Sequence, residues 1–343
     1  MSLLSPPLAH SRYAWFGVYD GHGGEVASQF VKDNLHLNVS QMLAAAVEAP
    51  GFAQSPANIS PKAPTSSVSV SSPPPKTPPT AVAAVSTPKT PSTPNKAEEK
   101  SKDAQEYVRT AVVESFRKTE RELIQMQTDK NREDGSCCIS VLIVGNTLWI
   151  ANLGDSKAVL ARAKDTTKPD KDKDKDSKVR CIKLSSDHQP VLPAEKTRIE
   201  KAGAMVIEGR VNGLLGVSRS FGDPKFKKLG VAATPDISKV TLTADCEFMI
   251  LACDGIWTVY TPAEVVSFTA KAIEEQWEAE KSQKSIEGGV SILHKKESDL
   301  EAVTRKVTQR IVREAVLTRG AKDNCTVLLV IFGEHSIATH CAN

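Results

Sequence analysis

The seven cysteines of this 343-residue sequence include no C-x-x-C pair, and no His/Cys cluster with zinc-ligand spacing accompanies them. Cys137, Cys138, Cys181, Cys246, Cys253 and Cys325 fall mostly in apolar runs. A reduced thiol there behaves as a small hydrophobe, so buried free cysteines are expected rather than disulfides. No charged n-region and long apolar stretch open the chain, which begins MSLLSPPLAHSRYAWF, and no uninterrupted apolar run could cross a bilayer. An intracellular protein, cytoplasmic or nuclear, with no membrane partner is therefore expected. Charge of one sign is also lacking: 44 Lys and Arg stand against 41 Asp and Glu, for a net charge of +3. With no RNA-binding aromatic motif either, nucleic acid is not an expected partner. What remains is a composition of 40% hydrophobic and 25% charged residues, ordinary for a soluble protein able to bury a sizeable core.

Two stretches differ from the rest. Residues 49–103 are rich in Pro, Ser, Thr and Lys and nearly free of large apolar groups; such a segment cannot repay the entropy of packing and is expected to be a disordered insertion. The Lys/Asp alternation of Lys168–Lys178, within a charged loop over 163–178, neutralises itself and reads as a solvated hairpin tip. The expected organisation is one domain over 13–333, interrupted by these two segments, with a tail over 334–343.

Periodicity divides the remainder. Strands are expected at Tyr13–Tyr19, Cys138–Val144, Leu148–Asn152, Lys157–Ala161, Val179–Leu184, Cys246–Cys253 and Cys325–Phe332, with short ones at Ala204–Glu208 and Leu214–Val217. Helical spacing is read from Gly24 to about Asn38, over Tyr107–Met126, from Pro193 with Gly203 as C-cap, and from Thr261-Pro262. Glu280–Glu297 reads as a loop, and Ser298 with Glu301 as a capping box opening a last helix. Strand blocks separated by helices predict an α+β fold of sheets shielded by helices.

Three aspartates stand at ends of predicted core strands: Asp20 before Gly21-His22-Gly23-Gly24, Asp254 before Gly255, and Asp323 before Asn324. Each could be a turn or cap residue. If the sheets bring them together, their mutual repulsion becomes ligation of a divalent ion, and oxygen-only ligands favour Mg²⁺ or Mn²⁺ over zinc. Such a cluster suits phosphate-ester hydrolysis by activated water, with His22 placed to protonate the leaving alcohol.

The motifs YDGHGG at 19–24, ANLGDSKAVL at 151–160, LSSDHQP at 184–190, LLGVSRSFGD at 214–223, VAATPDI at 231–237, LACDGIW at 251–257 and KDN at 322–324 resemble, in order, those of the metal-dependent protein phosphatase 2C (PPM) family. The resemblance implies a four-layer α-β-β-α sandwich, two mainly antiparallel sheets flanked by helices. It also implies a two-metal centre in which Asp20, Asp254 and Asp323 ligate Mg²⁺ or Mn²⁺ and Gly21 offers its carbonyl. Asp155 matches the carboxylate of a weaker third site, His22 the proposed general acid, and Arg219–Lys228 a region near the flap beside the cleft. Phosphoserine and phosphothreonine proteins are the implied substrates, and a monomer is expected.

The chain departs from the pattern in three places. Members of the family carry, upstream of DGHGG, an arginine and an acidic metal ligand in an R-x-x-M-E-D-like context; here twelve residues precede Tyr13, none of them Asp or Glu, and Arg12 does not match that arginine. Thr258 stands where the family often has an aspartate that helps the third metal, and GSCC at 135–138 replaces G-S-T. The first two departures predict weakened second and third sites, while the cysteines of GSCC replace small core residues with little functional meaning. Those first two also leave open an alternative, a catalytically impaired relative that binds phosphoproteins as a regulatory protein.

Overall fold

The computed structural model describes residues 13–47, 96–164, 177–287, 295–332 and 337–342. The chain runs through β1 (Tyr13–His22), α1 (Val26–Val47), α2 (Lys96–Lys130), β2 (Gly135–Val144), β3 (Thr147–Leu153), β4 (Lys157–Ala163) and β5 (Val179–Lys183). Next come α3 (Pro193–Lys201), the two-residue strands β6 (Val206–Ile207), β7 (Arg210–Val211) and β8 (Phe221–Gly222), then α4 (Pro224–Lys227). It closes with β9 (Asp236–Thr241), β10 (Cys246–Ala252), α5 (Asp254–Trp257), α6 (Pro262–Glu287), α7 (Lys295–Arg313), a π-helical turn at Glu314–Thr318, β11 (Val327–Phe332) and β12 (Ile337–Ala342).

Two mainly antiparallel sheets result, one ordered β1-β2-β3-β9 with β8 on the end of β2, the other β12-β11-β10-β4-β5. Alternation along each strand decides what each face meets. In β10, Met249 and Leu251 join Phe16, Val18, Ile139, Val141, Leu160 and Leu328 between the sheets. Phe248, Ile250 and Ala252 face outward against Val265 of α6 and Val303, Val307 and Ile311 of α7. On the other sheet Trp15, Leu142 and Leu153 pack against Leu35 of α1 and Phe116 of α2. Strands buried on both faces read as continuous apolar runs, which is why CEFMILAC and CTVLLVIF stand out in the sequence. The expected α+β sandwich flanked by helices is the observed architecture.

Several boundaries differ from the sequence reading. α1 continues to Val47 and α2 begins at Lys96, so the last eight residues assigned to the insertion are helical; Tyr107 Oη donates to the Met42 carbonyl and Lys118 to Gln41, tying the two helices together. The rest of that segment, and most of the Lys/Asp loop, lie outside the described residues. α6 runs through the stretch read as a loop as far as Glu287, because Glu275 and Glu280 pair with Arg310 and Lys306 of α7. Ser298 is inside α7, not at its start. The capping box is instead at α6, where Glu264 Oε2 accepts from Thr261 N–H and Thr261 Oγ1 from Glu264 N–H, at 2.8 and 3.3 Å. Leu214–Val217 is no strand; β6 pairs with β7 in a small hairpin. β9 carries almost no buried side chain and so has no apolar signature, and part of the expected tail, Ile337–Ala342, is a strand along β11.

The six cysteines named above are free, five of them buried and Cys181 half-buried. Among the described residues no helix is long and apolar enough to cross a membrane.

Candidate metal centre and active site

β1 does not stop at Tyr19. It continues through Asp20, Gly21 and His22, which pair with Cys137, Ser136 and Gly135 of β2. The alternation that turns Phe16 and Val18 between the sheets gives Asp20 the same parity, and Cys253 follows Met249 and Leu251 in the same way. The inter-sheet row of apolar side chains thus ends, on both sheets, in groups that can ligate. The ligand atoms of Asp20, Cys253 and Asp254 lie within 4.8 Å of one another.

Asp254 opens α5 directly after β10. The Asp323-Asn324 turn is laid against it: a side chain at Gly255 would overlap the Asn324 carbonyl. Cys253 Sγ donates to that carbonyl at 3.0 Å and accepts from Thr326 N–H at 3.1 Å. Asp323 is exposed, and its Oδ1 accepts from its neighbour Asn324 N–H at 2.7 Å. Thr258 Oγ1 donates to the Gly255 carbonyl at 3.2 Å, so the residue in the expected aspartate position closes the α5 turn.

Burial pushes the Asp20 carboxyl up to about 7, and the charges of Asp254, Asp155 and Asp323 add to it, together with a side-chain hydrogen bond to Asp254. Asp155 is raised too, by burial and then by Asp254. The structure therefore brings all four sequence-predicted carboxylates into one electrostatic unit, with Asp20 and Asp254 in contact and Asp155 and Asp323 acting from outside the tight group. Carboxylates pressed together at such a cost in ionisation fit a divalent cation, which favours their charged form. Two carboxylates against one thiol keep the set hard. Cys253, which sequence reasoning read as core, is the unexpected member, and its thiol is pushed up to about 11, first by burial.

Gly21 sits where a Cβ would meet Ser28 Oγ at 2.6 Å. His22, one residue on, has Nε2 at 2.8 Å from Asp223 Oδ2. Burial lowers the imidazole pKa, but the bond to Asp223 and the charges of Asp223, Asp20 and Asp155 outweigh it, and the net direction is upward. Asp223 is buried, adopts left-handed backbone at φ 53°, and takes Ser220 Oγ–H at 2.5 Å on the same oxygen as His22. Lys227 pairs with Glu120 of α2 at 3.0 Å and donates to the Ser220 carbonyl at 2.6 Å, fixing this segment beside the site.

Asp223 and Asp134 were missed as site residues. Asp134 shows in the sequence only as the first half of an Asp-Gly dipeptide, an ordinary turn signal; its buried Oδ2 accepts from Ala27 N–H at 2.6 Å and so serves the N-terminus of α1. A lone Asp-Gly dipeptide carries no signal of a partner 107 residues away.

The family model described as protein phosphatase 2C matches residues 80–323, which include Asp155, Asp254 and Asp323. The chain belongs to the protein phosphatase 2C family. It is 32% identical over 322 residues to Probable protein phosphatase 2C 8 of Arabidopsis thaliana, spanning 94% of this chain and 69% of that protein. It is also 32% identical over 331 residues to the integrin-linked kinase-associated serine/threonine phosphatase 2C of Bos taurus, spanning 96% and 69%. Among solved structures, a serine-threonine phosphatase 2C from Toxoplasma gondii superposes with a TM-score of 0.63 at 19% identity, covering 94% of this chain and 85% of that one.

Proposed function

We propose that this phosphatase 2C chain hydrolyses phosphoserine and phosphothreonine in proteins with the aid of Mg²⁺ or Mn²⁺. The observation that carries the reading is the contact between Asp20 and Asp254 at the end of the inter-sheet core, with Asp155 and Asp323 charging the same space. Asp20, Asp254 and Asp323 hold the ions, two of them, with the Gly21 carbonyl as a neutral ligand and Asp155 toward a weaker further site. Bound there, the ions supply Lewis-acid stabilisation of phosphoryl charge and lower the pKa of water.

The chain's own residues do the remaining work. His22 Nε2 is committed to Asp223, which leaves Nδ1 as the edge that faces a leaving oxygen. The Asp223 carboxylate orients the ring and favours its protonated form, so His22 delivers a proton to the serine or threonine alkoxide as the P–O bond breaks. That proton matters most for an alkyl oxygen, a poor leaving group.

The test is Mn²⁺-dependent phosphate release from a phosphothreonine peptide by wild type, Asp20→Ala and Asp254→Ala. Turnover in wild type that both substitutions abolish is the expected result. Folded wild-type protein that binds the peptide without turnover at saturating Mn²⁺ would instead establish a phosphoprotein-binding relative.

A further inference from the structure

A second polar cluster, buried at Glu195, Ser218 and His188 and open to solvent at Asp236, lies beside the carboxylates and is not used in that mechanism. At its centre Arg219 gives Nη2 and Nε to Glu195 at 2.6 and 3.1 Å and Nη1 to Asp236 Oδ1 at 2.7 Å. Glu195, on α3, is buried and also takes Ser218 Oγ–H at 2.6 Å. The other oxygen of Asp236, at the start of β9, lies 3.1 Å from His188 Nε2.

His188 then grips a single residue from both sides. Its Nδ1 accepts from Gly154 N–H at 3.0 Å, and its own N–H donates to the Gly154 carbonyl at 2.9 Å. An Nδ1 that accepts places the ring proton on Nε2, which is buried and meets Asp236 Oδ2 as a close charge contact rather than an aligned hydrogen bond. Gly154 has φ 111°, and a side chain there would overlap Cys137 Sγ, so the turn admits glycine alone. The next residue is Asp155. Ser218 N–H donates to the His188 carbonyl at 3.0 Å, which fastens the Arg219 segment to the same point.

We propose that His188 is a positioning residue for Asp155: held by the Glu195–Arg219–Asp236 network, it fixes the Gly154 turn and so couples the packing of residues 193–236 to the affinity of the carboxylate centre for its divalent ion. The inference rests on the metal-dependent reading above. Partners behind a ligating carboxylate typically change metal affinity by about 10–100-fold when removed, because they hold the ligand where the ion needs it.

The experiment is Mn²⁺ titration calorimetry on the full chain, run alongside thermal unfolding. His188→Leu removes the acceptor, His188→Asn keeps an oxygen near the place of Nδ1, and Arg219→Met releases Asp236. Val211→Ala, in the small buried cluster of Ile199, Ala204 and Val231, destabilises the same region without touching Gly154. The Kd of the weaker Mn²⁺ site, the one Asp155 serves, is expected to rise about tenfold in His188→Leu, less in Arg219→Met, and to recover toward wild type in His188→Asn. Val211→Ala is expected to unfold earlier yet bind Mn²⁺ as wild type does. Unchanged affinity in His188→Leu and Arg219→Met overturns the proposal, as does an equal loss in Val211→Ala or no recovery in His188→Asn. A wild-type protein that binds no Mn²⁺ fails differently, because it removes the metal-dependent reading together with this one.

Discussion

His22 and Asp223, 201 positions apart, meet at 2.8 Å because Gly135 has no side chain. A Cβ on residue 135 would overlap both Asp223 Oδ2 and His22 Nε2. The proposed general acid, its carboxylate partner and the glycine between them therefore form one unit, drawn from β1, β2 and the turn into α4.

Gly135→Ala is expected to separate the pair, with a stability loss of about 1–3 kcal/mol from overpacking and a fall in phosphopeptide turnover. Gly145→Ala is the comparison: φ is 60° but nothing lies within 4 Å, so a backbone cost of about 1 kcal/mol is expected with turnover unchanged. Chemical denaturation and steady-state kinetics on both variants check the contrast. Equal kinetic effects would remove the steric argument.

Asp223→Asn deletes the group that raises the His22 pKa above 6.5. Wild-type turnover of a phosphothreonine peptide is expected to fall as pH rises through the elevated His22 pKa, and the variant's falling limb to lie at lower pH. His22→Ala is expected to lose about 10²-fold in kcat on the peptide and far less on p-nitrophenyl phosphate, whose leaving group needs no proton. The same shift affects stability: the His22–Asp223 attraction is complete below about 6.5 and disappears as pH rises through the folded-state value. A pH profile insensitive to Asp223→Asn would show that His22 is not the acid.

The metal-free protein is expected to lose stability between about pH 4 and pH 7. Asp20 is raised from 3.8 to about 7, so over that window the unfolded chain releases a proton that the folded one retains, and folding becomes less favourable as pH rises. Mn²⁺ should oppose the trend by binding the ionised form, giving a larger increase in Tm at pH 8 than at pH 5. Asp20→Asn is expected to raise the metal-free stability at pH 8 by on the order of 1 kcal/mol while removing the Mn²⁺ response. Thermal unfolding across this range with and without Mn²⁺ is the measurement, and a Mn²⁺ response that survives Asp20→Asn would exclude Asp20 as a ligand.

Glu195 shows the opposite sign. Burial alone would raise it, but Arg219, Arg198 and Ser218 hold its carboxyl down to about 2. Its contribution is present above the ordinary value of 4.5 and is lost as pH falls toward 2. Glu195→Gln leaves Arg219 and Arg198 short of a buried partner and is expected to cost about 3 kcal/mol at pH 7, with the difference from wild type narrowing below pH 4 in urea titrations. A difference independent of pH would mean that the cost lies in packing alone.

Much of the core and three of the carboxylates were legible because their signals are local. CEFMILAC and CTVLLVIF announce doubly buried strands; the first ends beside Asp254 and the second begins just after Asp323-Asn324. The long extension of α6 was not legible, since its support is partner side chains such as Lys306 and Arg310 on another helix. β9 was invisible for a related reason: strand neighbours fix it through backbone pairing with β3 while its side chains stay largely in solvent.

What the chain alone determined is which residues can be buried and which can ligate. Alternation in β1 and β10 already assigns Asp20 and Cys253 to the inter-sheet face, because the pleat repeats every two residues wherever the strand goes. Only the tertiary structure decided who meets whom. Asp20 against Asp254, His22 against Asp223 and His188 against Gly154 are contacts between segments far apart in sequence, made by sheet register and loop packing, and no local pattern encodes a distance across the fold.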